Sequence, residues 1–227
     1  MLKAFSAAFL SMTVIAGCSS EKASAPAPSP ADAKPSAPSA AETAKLRAAL
    51  LPAPKGMKVA YGPEIGVYGS LKSTKEGLEA VRQAGLDHPE CAGATQLDVT
   101  RPEVAKAPAA VIGFTSERGS ITQAVVSLPP SAFPGPLPGQ CGSYRAEVRG
   151  TQVVYRTRDL EMPRQGDESR AYLTTATGGK QQAQIGTITI RRGDLVMSLM
   201  VVGRQVKPDG LMELGKIADQ SLSRAAA

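Results

Sequence analysis

The stretch QIGTITIRRGDLVMSLMVVG, Gln184 to Gly203, decides the fold. Two runs rich in aliphatic and β-branched residues, Gln184 to Arg192 and Leu195 to Gly203, flank Gly193-Asp194. A Gly-Asp pair between two such runs is a strong hairpin signal, because the first position of the tight turn favours glycine. Working outward, the pattern repeats. Ala109 to Thr115 and Ser120 to Leu128 are short apolar runs with Gly119 near the turn between them. Tyr144, Ala146 and Val148 alternate with Arg145, Glu147 and Arg149, the period of a half-buried strand. Gly150-Thr151 turns the chain into Val153 to Arg158, and Arg170 to Ala176 follows. Many short strands joined by tight turns predict an antiparallel sheet.

Three helical patterns frame these strands. Glu42 to Leu51 is rich in Ala, Leu, Lys and Glu and stops before Pro52. Ser73 and Glu76 have capping-box spacing, Leu78 and Val81 then share a face, and Gly85 marks a stop. From Pro208 to Ala225, Leu211, Leu214, Ala218, Leu222 and Ala225 recur at helical steps. The expected fold is α+β: an antiparallel sheet with helices on one face and water on the other. The Pro-rich piece Pro129 to Gly139 reads as a long loop inside one domain spanning 42–227.

The N-terminus has a different character. Lys3 precedes an apolar run of 13 residues, Ala4 to Ala16, too short to span a bilayer. It has the proportions of a secretory signal core. It ends in Ile15-Ala16-Gly17-Cys18, which resembles the lipobox of bacterial lipoproteins. That resemblance implies a signal peptide over 1–17, cleavage before Cys18, and a diacylglycerol on the Cys18 sulfur. Lipid attachment at Cys18 would hold the chain on the outer face of the cell membrane, and a second acyl chain, such as palmitate, makes such anchoring stable. Residues 18–41 then form a Pro/Ala/Ser tether with no aromatic and no large aliphatic side chain, so they cannot bury enough surface to offset ordering entropy. Fully extended, such a tether reaches up to roughly 70 Å.

Three cysteines are an odd number in a chain of 227 residues. With Cys18 assigned to lipid, Cys91 and Cys141 remain in an exported domain, where an even pair is oxidised by default. A structural disulfide is the favoured reading. Two others compete: a zinc site built from His88, Cys91 and Cys141, which lacks a fourth ligand, and a redox role, which lacks a Cys-x-x-Cys.

Catalytic signatures are missing. His88 is the only histidine and there is no tryptophan. No Gly-x-Ser-x-Gly elbow and no phosphate-binding glycine loop occurs. Glu161, Asp167 and Glu168 lie near Pro163 and Gly166 and read as solvated loop charges. No catalytic residue, metal or cofactor is expected, and an envelope hydrolase with an unrecognised site is the alternative.

The net charge is +6. Arg145 and Arg149 share a strand face, as do Arg156 and Arg158 on the next strand, so the four form a candidate patch for an anionic envelope partner. Arg191, Arg192 and Arg204 extend it. Nucleic acid is not expected, because no interleaved aromatic platform is present. Arg192-Gly193-Asp194 spells an integrin-binding tripeptide but is better explained as the hairpin turn.

Several of these pieces recur together: the lipobox and tether, Leu50-Leu51-Pro52, Cys91, Ile121 to Val126, Cys141, and the hairpin Ile188 to Val196 before a final amphipathic helix. Together they resemble actinobacterial lipoproteins related to the extracellular sensor domain of PknH-type receptor kinases. The resemblance spans about residues 45–225. It implies an α+β domain that binds an extracellular ligand in a cleft, with no known enzymatic activity. Kinase sensor domains of this type carry two disulfides, whereas this chain can form one and has no kinase domain. The expectation is a membrane-anchored extracytoplasmic lipoprotein with a sensor-like ligand-binding or interaction domain.

Overall fold

The computed structural model describes residues 37–226. The expected signal peptide, Cys18 and nearly all of the tether lie outside the described residues. Helix α1 (Ala40–Ala48) begins ahead of the expected Glu42, because Ser39 caps it by accepting from the Glu42 amide at 3.2 Å. In chain order there follow β1 (Lys58–Val67), α2 (Lys72–Gln83), β2 (Gly85–Leu86), α3 (Pro102–Ala105), β3 (Pro108–Ser116) and β4 (Gly119–Ser127). The remainder comprises β5 (Ser143–Val148), β6 (Thr151–Asp159), β7 (Glu168–Gly178), β8 (Gln181–Arg192), β9 (Leu195–Gly203) and α4 (Pro208–Ala226).

Every strand pairing is antiparallel, in one sheet of order β1-β3-β4-β9-β8-β7-β6-β5-β2. The β8–β9 hairpin has the expected register, with Arg192 opposite Leu195 around Gly193 at φ 60°. Strand β1 carries no clean signal in the sequence. Gly62-Pro63 interrupts it, and its ladder to β3 shifts register on both sides of Tyr61. Proline is tolerated because β1 is an edge strand, where a missing amide donor leaves no inner ladder broken.

The registers sort side chains onto two faces. On the first, Ile112, Phe114, Val125, Ile188, Met197 and Leu199 pack against Leu46 of α1 and Leu211, Ala218 and Leu222 of α4. Helix α4 approaches β8 closely at Gly215, where an added Cβ would stand 2.8 Å from Ile188 Cδ1. The second face is not left to water throughout. There Val111, Ala124, Val126 and Val196 are buried under Leu97, Val104 of α3 and Phe133 of the Pro-rich loop.

Buried polar contacts fix the ends of the elements. Gln123, fully buried, accepts from the Leu51 amide at 2.7 Å and donates to the Ala49 carbonyl at 3.4 Å, so it anchors the chain leaving α1. At the hairpin tip, Arg192 pairs with Asp219 of α4 at 2.9 Å, the Gly193 amide donates to Asp167 at 2.8 Å, and Asp194 accepts from Lys45 at 2.8 Å. All three residues of the Arg-Gly-Asp tripeptide are therefore engaged within the domain. Asp167 and Glu168 are not independent loop charges: both converge on Arg191, at 3.0 Å and 2.8 Å.

The expected capping box of α2 does not form. Its N-cap is Leu71, with no side-chain cap bond. Glu64 of β1 instead reaches the Ser73 amide at 3.2 Å, a partner that local spacing could not reveal. Among the described residues, no helix is long and apolar enough to cross a membrane. The chain from Pro35 to Ala227 forms a compact unit that contains every strand pairing, both cores and the disulfide.

Candidate functional site

The second sheet face carries a cavity of about 520 Å³ beneath α2. Its floor is sheet: Val111 of β3, Thr122 and Ala124 of β4, Ser198 and Met200 of β9. These positions share one face because the ladders place Val111 opposite Ala124, Ala124 opposite Ser198 and Thr122 opposite Met200. Helix α2 forms one wall through Ser73, Gly77, Leu78 and Val81. The shared face of Leu78 and Val81, legible in the sequence, lines the cavity instead of sealing a core. No residue of α2 is buried, and Val81 remains 37% exposed.

The facing wall runs through Pro89, Gly93, Gln96, Leu97 and Val99. Two ties hold it. Cys91 and Cys141 form a disulfide with Cα atoms 5.2 Å apart, joining this segment to the turn that enters β5. Gln96 Nε2 donates to Met200 Sδ at 3.5 Å. Within the segment, Asp98 Oδ1 accepts from the Thr100 amide at 2.9 Å and its hydroxyl at 2.6 Å.

Tyr61 and Tyr68 also line the cavity, and the Tyr61 hydroxyl meets Thr122 Oγ1 at 3.0 Å. Burial, and secondarily the neighbouring Tyr61, pushes the Tyr68 phenol up to about 12, so it is a neutral group at physiological pH. Ser73 Oγ is buried with no hydrogen-bond partner among the described residues. Among the described residues, the charged side chains lining the cavity are Glu90 and Asp98, and no Lys, Arg or His lines it. Glu90 lies below the usual carboxylate range, held by its own backbone amide and then by His88 Nδ1, 3.2 Å away. A largely apolar cavity with a few convergent hydroxyls has the character of a small-molecule site.

No family model matches the chain, and no curated protein is similar to it. Solved structures do match. The extracellular domain of PknH from Mycobacterium tuberculosis aligns at a TM-score of 0.55 and 13% identity, over 81% of this chain and 95% of that one. The chain has the fold of the PknH extracellular domain. A protein from Mycobacterium smegmatis described as an Rv0999 ortholog aligns at a TM-score of 0.45 and 11% identity, over 80% of this chain and 95% of that one.

On this PknH-like fold the expected site residues fall in different places. The sulfurs of Cys91 and Cys141 are bonded to each other, as the disulfide reading expects, which leaves neither as a thiolate for the competing zinc site. His88 and Glu90 form an exposed pair beside the cavity, since Glu90 lines it. Arg145, Arg156 and Arg158 share a sheet face, because Arg145 stands opposite Val154 and Arg156 and Arg158 continue that row. Arg149 is not on it: it lies in the turn between β5 and β6 with φ 50°. The row continues through Leu173 into the core under α1 and α4, so these arginines lie on the face opposite the cavity. Arg191 and Arg192 do not extend the patch, because Asp167, Glu168 and Asp219 neutralise them.

Tyr61, Tyr68, Ser73, Gln96 and Met200 were not legible as site residues. Each is ordinary by composition, and only the sheet registers and the disulfide bring them around one space. A second concavity, about 620 Å³, lies between Lys55–Lys58 and Thr115–Arg118, where mostly exposed residues border it.

Proposed function

We propose that this chain is an extracytoplasmic, membrane-anchored lipoprotein whose domain binds a small ligand, in the manner expected of a sensor. The single observation that carries this reading is the cavity beneath α2, built on a fold shared with a kinase extracellular domain. Anchoring rests on the lipobox at Cys18 and the tether that follows. Against the hydrolase alternative, Asp167 and Glu168 pair with Arg191 and are not among the residues that line the cavity, which supports the binding reading.

The test is native mass spectrometry of the domain, Pro35 to Ala227, after incubation with envelope extract. A discrete ligand adduct is expected, and turnover of an ester or glycan with no adduct overturns the reading. Intact mass of the exported protein tests the anchor. It is expected to show a diacylglyceryl adduct on Cys18 and the loss of two hydrogens for Cys91 with Cys141.

A second reading, contact with an anionic envelope polymer, is favoured by Arg145, Arg156 and Arg158. They are exposed, share a face and make no ion pair among the described residues. Reversing Arg145 and Arg156 to Glu is expected to abolish retention on an anionic polymer, and unchanged retention overturns it.

A further inference from the structure

We infer that the cavity beneath α2 selects an uncharged amphiphile, an apolar body ending in a neutral hydrogen-bonding group, and rejects anions. This rests on the ligand-binding reading above and names its ligand class. The volume, about 520 Å³, lies within the range of small-molecule sites and accommodates a medium-length alkyl chain. Leu78, Val81, Leu97, Val99, Val111 and Met200 supply apolar walls on three sides.

Apart from the carboxylates Glu90 and Asp98, the polar groups at hand are neutral. Ser73 Oγ is buried and unpartnered, Ser198 is 6% exposed on the floor, and the Tyr68 phenol holds its proton. Tyr61, Thr122 and Ser198 bring further hydroxyls to the lining, groups that can exchange hydrogen bonds with a neutral polar end. An anion would find hydroxyl donors but no cationic partner. Among the described residues the cavity offers no cationic side chain, and Glu90 and Asp98 both border it. Those two carboxylates are already engaged, with His88 and with Thr100, so they do not call for a cationic ligand either. A carboxylate moved into this space would lose its hydration and meet the repulsion of Glu90 and Asp98 with no cation to offset it.

Gly77 provides a clean way to fill the space. It lines the cavity, yet a Cβ built on it meets nothing within 4 Å. Replacing a helical glycine also favours the helix, so a larger residue here blocks the cavity without unfolding the domain. Val81, partly exposed on the same helix face, is a place to install a cation at the mouth.

The experiment titrates the Pro35–Ala227 domain with the neutral dye N-phenylnaphthylamine, then displaces the dye with decanol or decanoate, which share a chain length and differ in charge. The expected result is dye binding and displacement by decanol, with decanoate weaker by about tenfold or more. Gly77→Leu is expected to abolish dye and decanol binding at an unchanged or higher Tm. Val81→Lys is expected to recover decanoate displacement. If decanoate binds as tightly as decanol and Gly77→Leu blocks both, the cavity binds ligand but the charge selectivity proposed here is overturned. Should no probe bind, or should Gly77→Leu leave dye binding intact, the ligand-binding reading itself falls. A dimer that forms in the wild-type domain and is lost in Gly77→Leu assigns the cavity to a second copy and overturns the small-ligand class.

Discussion

The ring of Tyr61 on β1 rests against Gly113 on β3, where an added β-carbon would overlap the ring atoms. The Tyr61 hydroxyl reaches one strand further, to Thr122 of β4. An aromatic ring laid across a strand glycine fastens an edge strand that its own Gly62-Pro63 interrupts. The same ring borders the cavity, so edge-strand pairing and cavity shape depend on one contact.

Gly113→Ala is therefore expected to displace Tyr61 and to lower stability by about 1–3 kcal/mol, the usual cost of overpacking. Tyr61→Phe keeps the ring and removes one hydrogen bond, for about 0.5–1.5 kcal/mol. Urea midpoints of the two variants give the comparison. A Gly113→Ala protein as stable as wild type would show that the ring moves freely.

Loss of the Cys91–Cys141 bridge acts on the unfolded chain and on the cavity wall. The bond spans a sequence separation of 50, for which the chain-entropy model gives about 4 kcal/mol. Cys91→Ser with Cys141→Ser is expected to lower the urea midpoint accordingly. Hydrogen exchange should quicken most along 89–100, the wall that the bridge ties to β5.

Gln123 is fully buried among apolar neighbours, and its amide bonds the main chain leaving α1. Gln123→Leu is nearly volume-conserving but leaves the Leu51 amide unpaired, a cost of about 1–3 kcal/mol. Faster exchange confined to α1 and the residues after it is the expected signature. Uniform acceleration over the whole sheet would contradict an anchoring role.

Alkaline pH should destabilise the domain through its tyrosines. Tyr68 and Tyr144 are raised from 10.0 to about 12, each mainly by burial, and Tyr155 and Tyr172 are raised in the same direction. Unfolded phenols ionise first, so above 10 the unfolded state holds fewer protons and stability falls as pH rises. The contribution is complete below the unfolded value and gone above the folded one. Urea midpoints at about pH 9 and about pH 11 should fall steeply for wild type and less for Tyr144→Phe. Tyr144 stacks on Tyr155 with ring centroids 4.9 Å apart, a geometry that phenylalanine retains.

Legibility followed the range of the interaction. The β8–β9 hairpin, the apolar face of α4 and the runs of β3 and β4 were readable, because turn chemistry and side-chain period act over a few residues. Strand β1 was not, since its ladder partner among the described residues is β3, a register of Lys58 with Thr115 that no local pattern encodes. Ser73 and Glu76 had the spacing of a capping box, yet Glu64 from another element supplied the contact. Leu78 and Val81 were legible as a face, but not that it borders empty space in place of a core.

By itself the sequence determined an antiparallel sheet with terminal helices and a cysteine pair free to join. Those properties follow from periodicity, turn residues and composition, which are local or additive along the chain. Tertiary structure alone decided that the sheet carries a core on both faces, that Arg191 gathers Asp167 and Glu168, and that hydroxyls from distant strands meet beneath α2. Each of these depends on strand registers between residues far apart, where one step of slippage would turn every side chain to the opposite face.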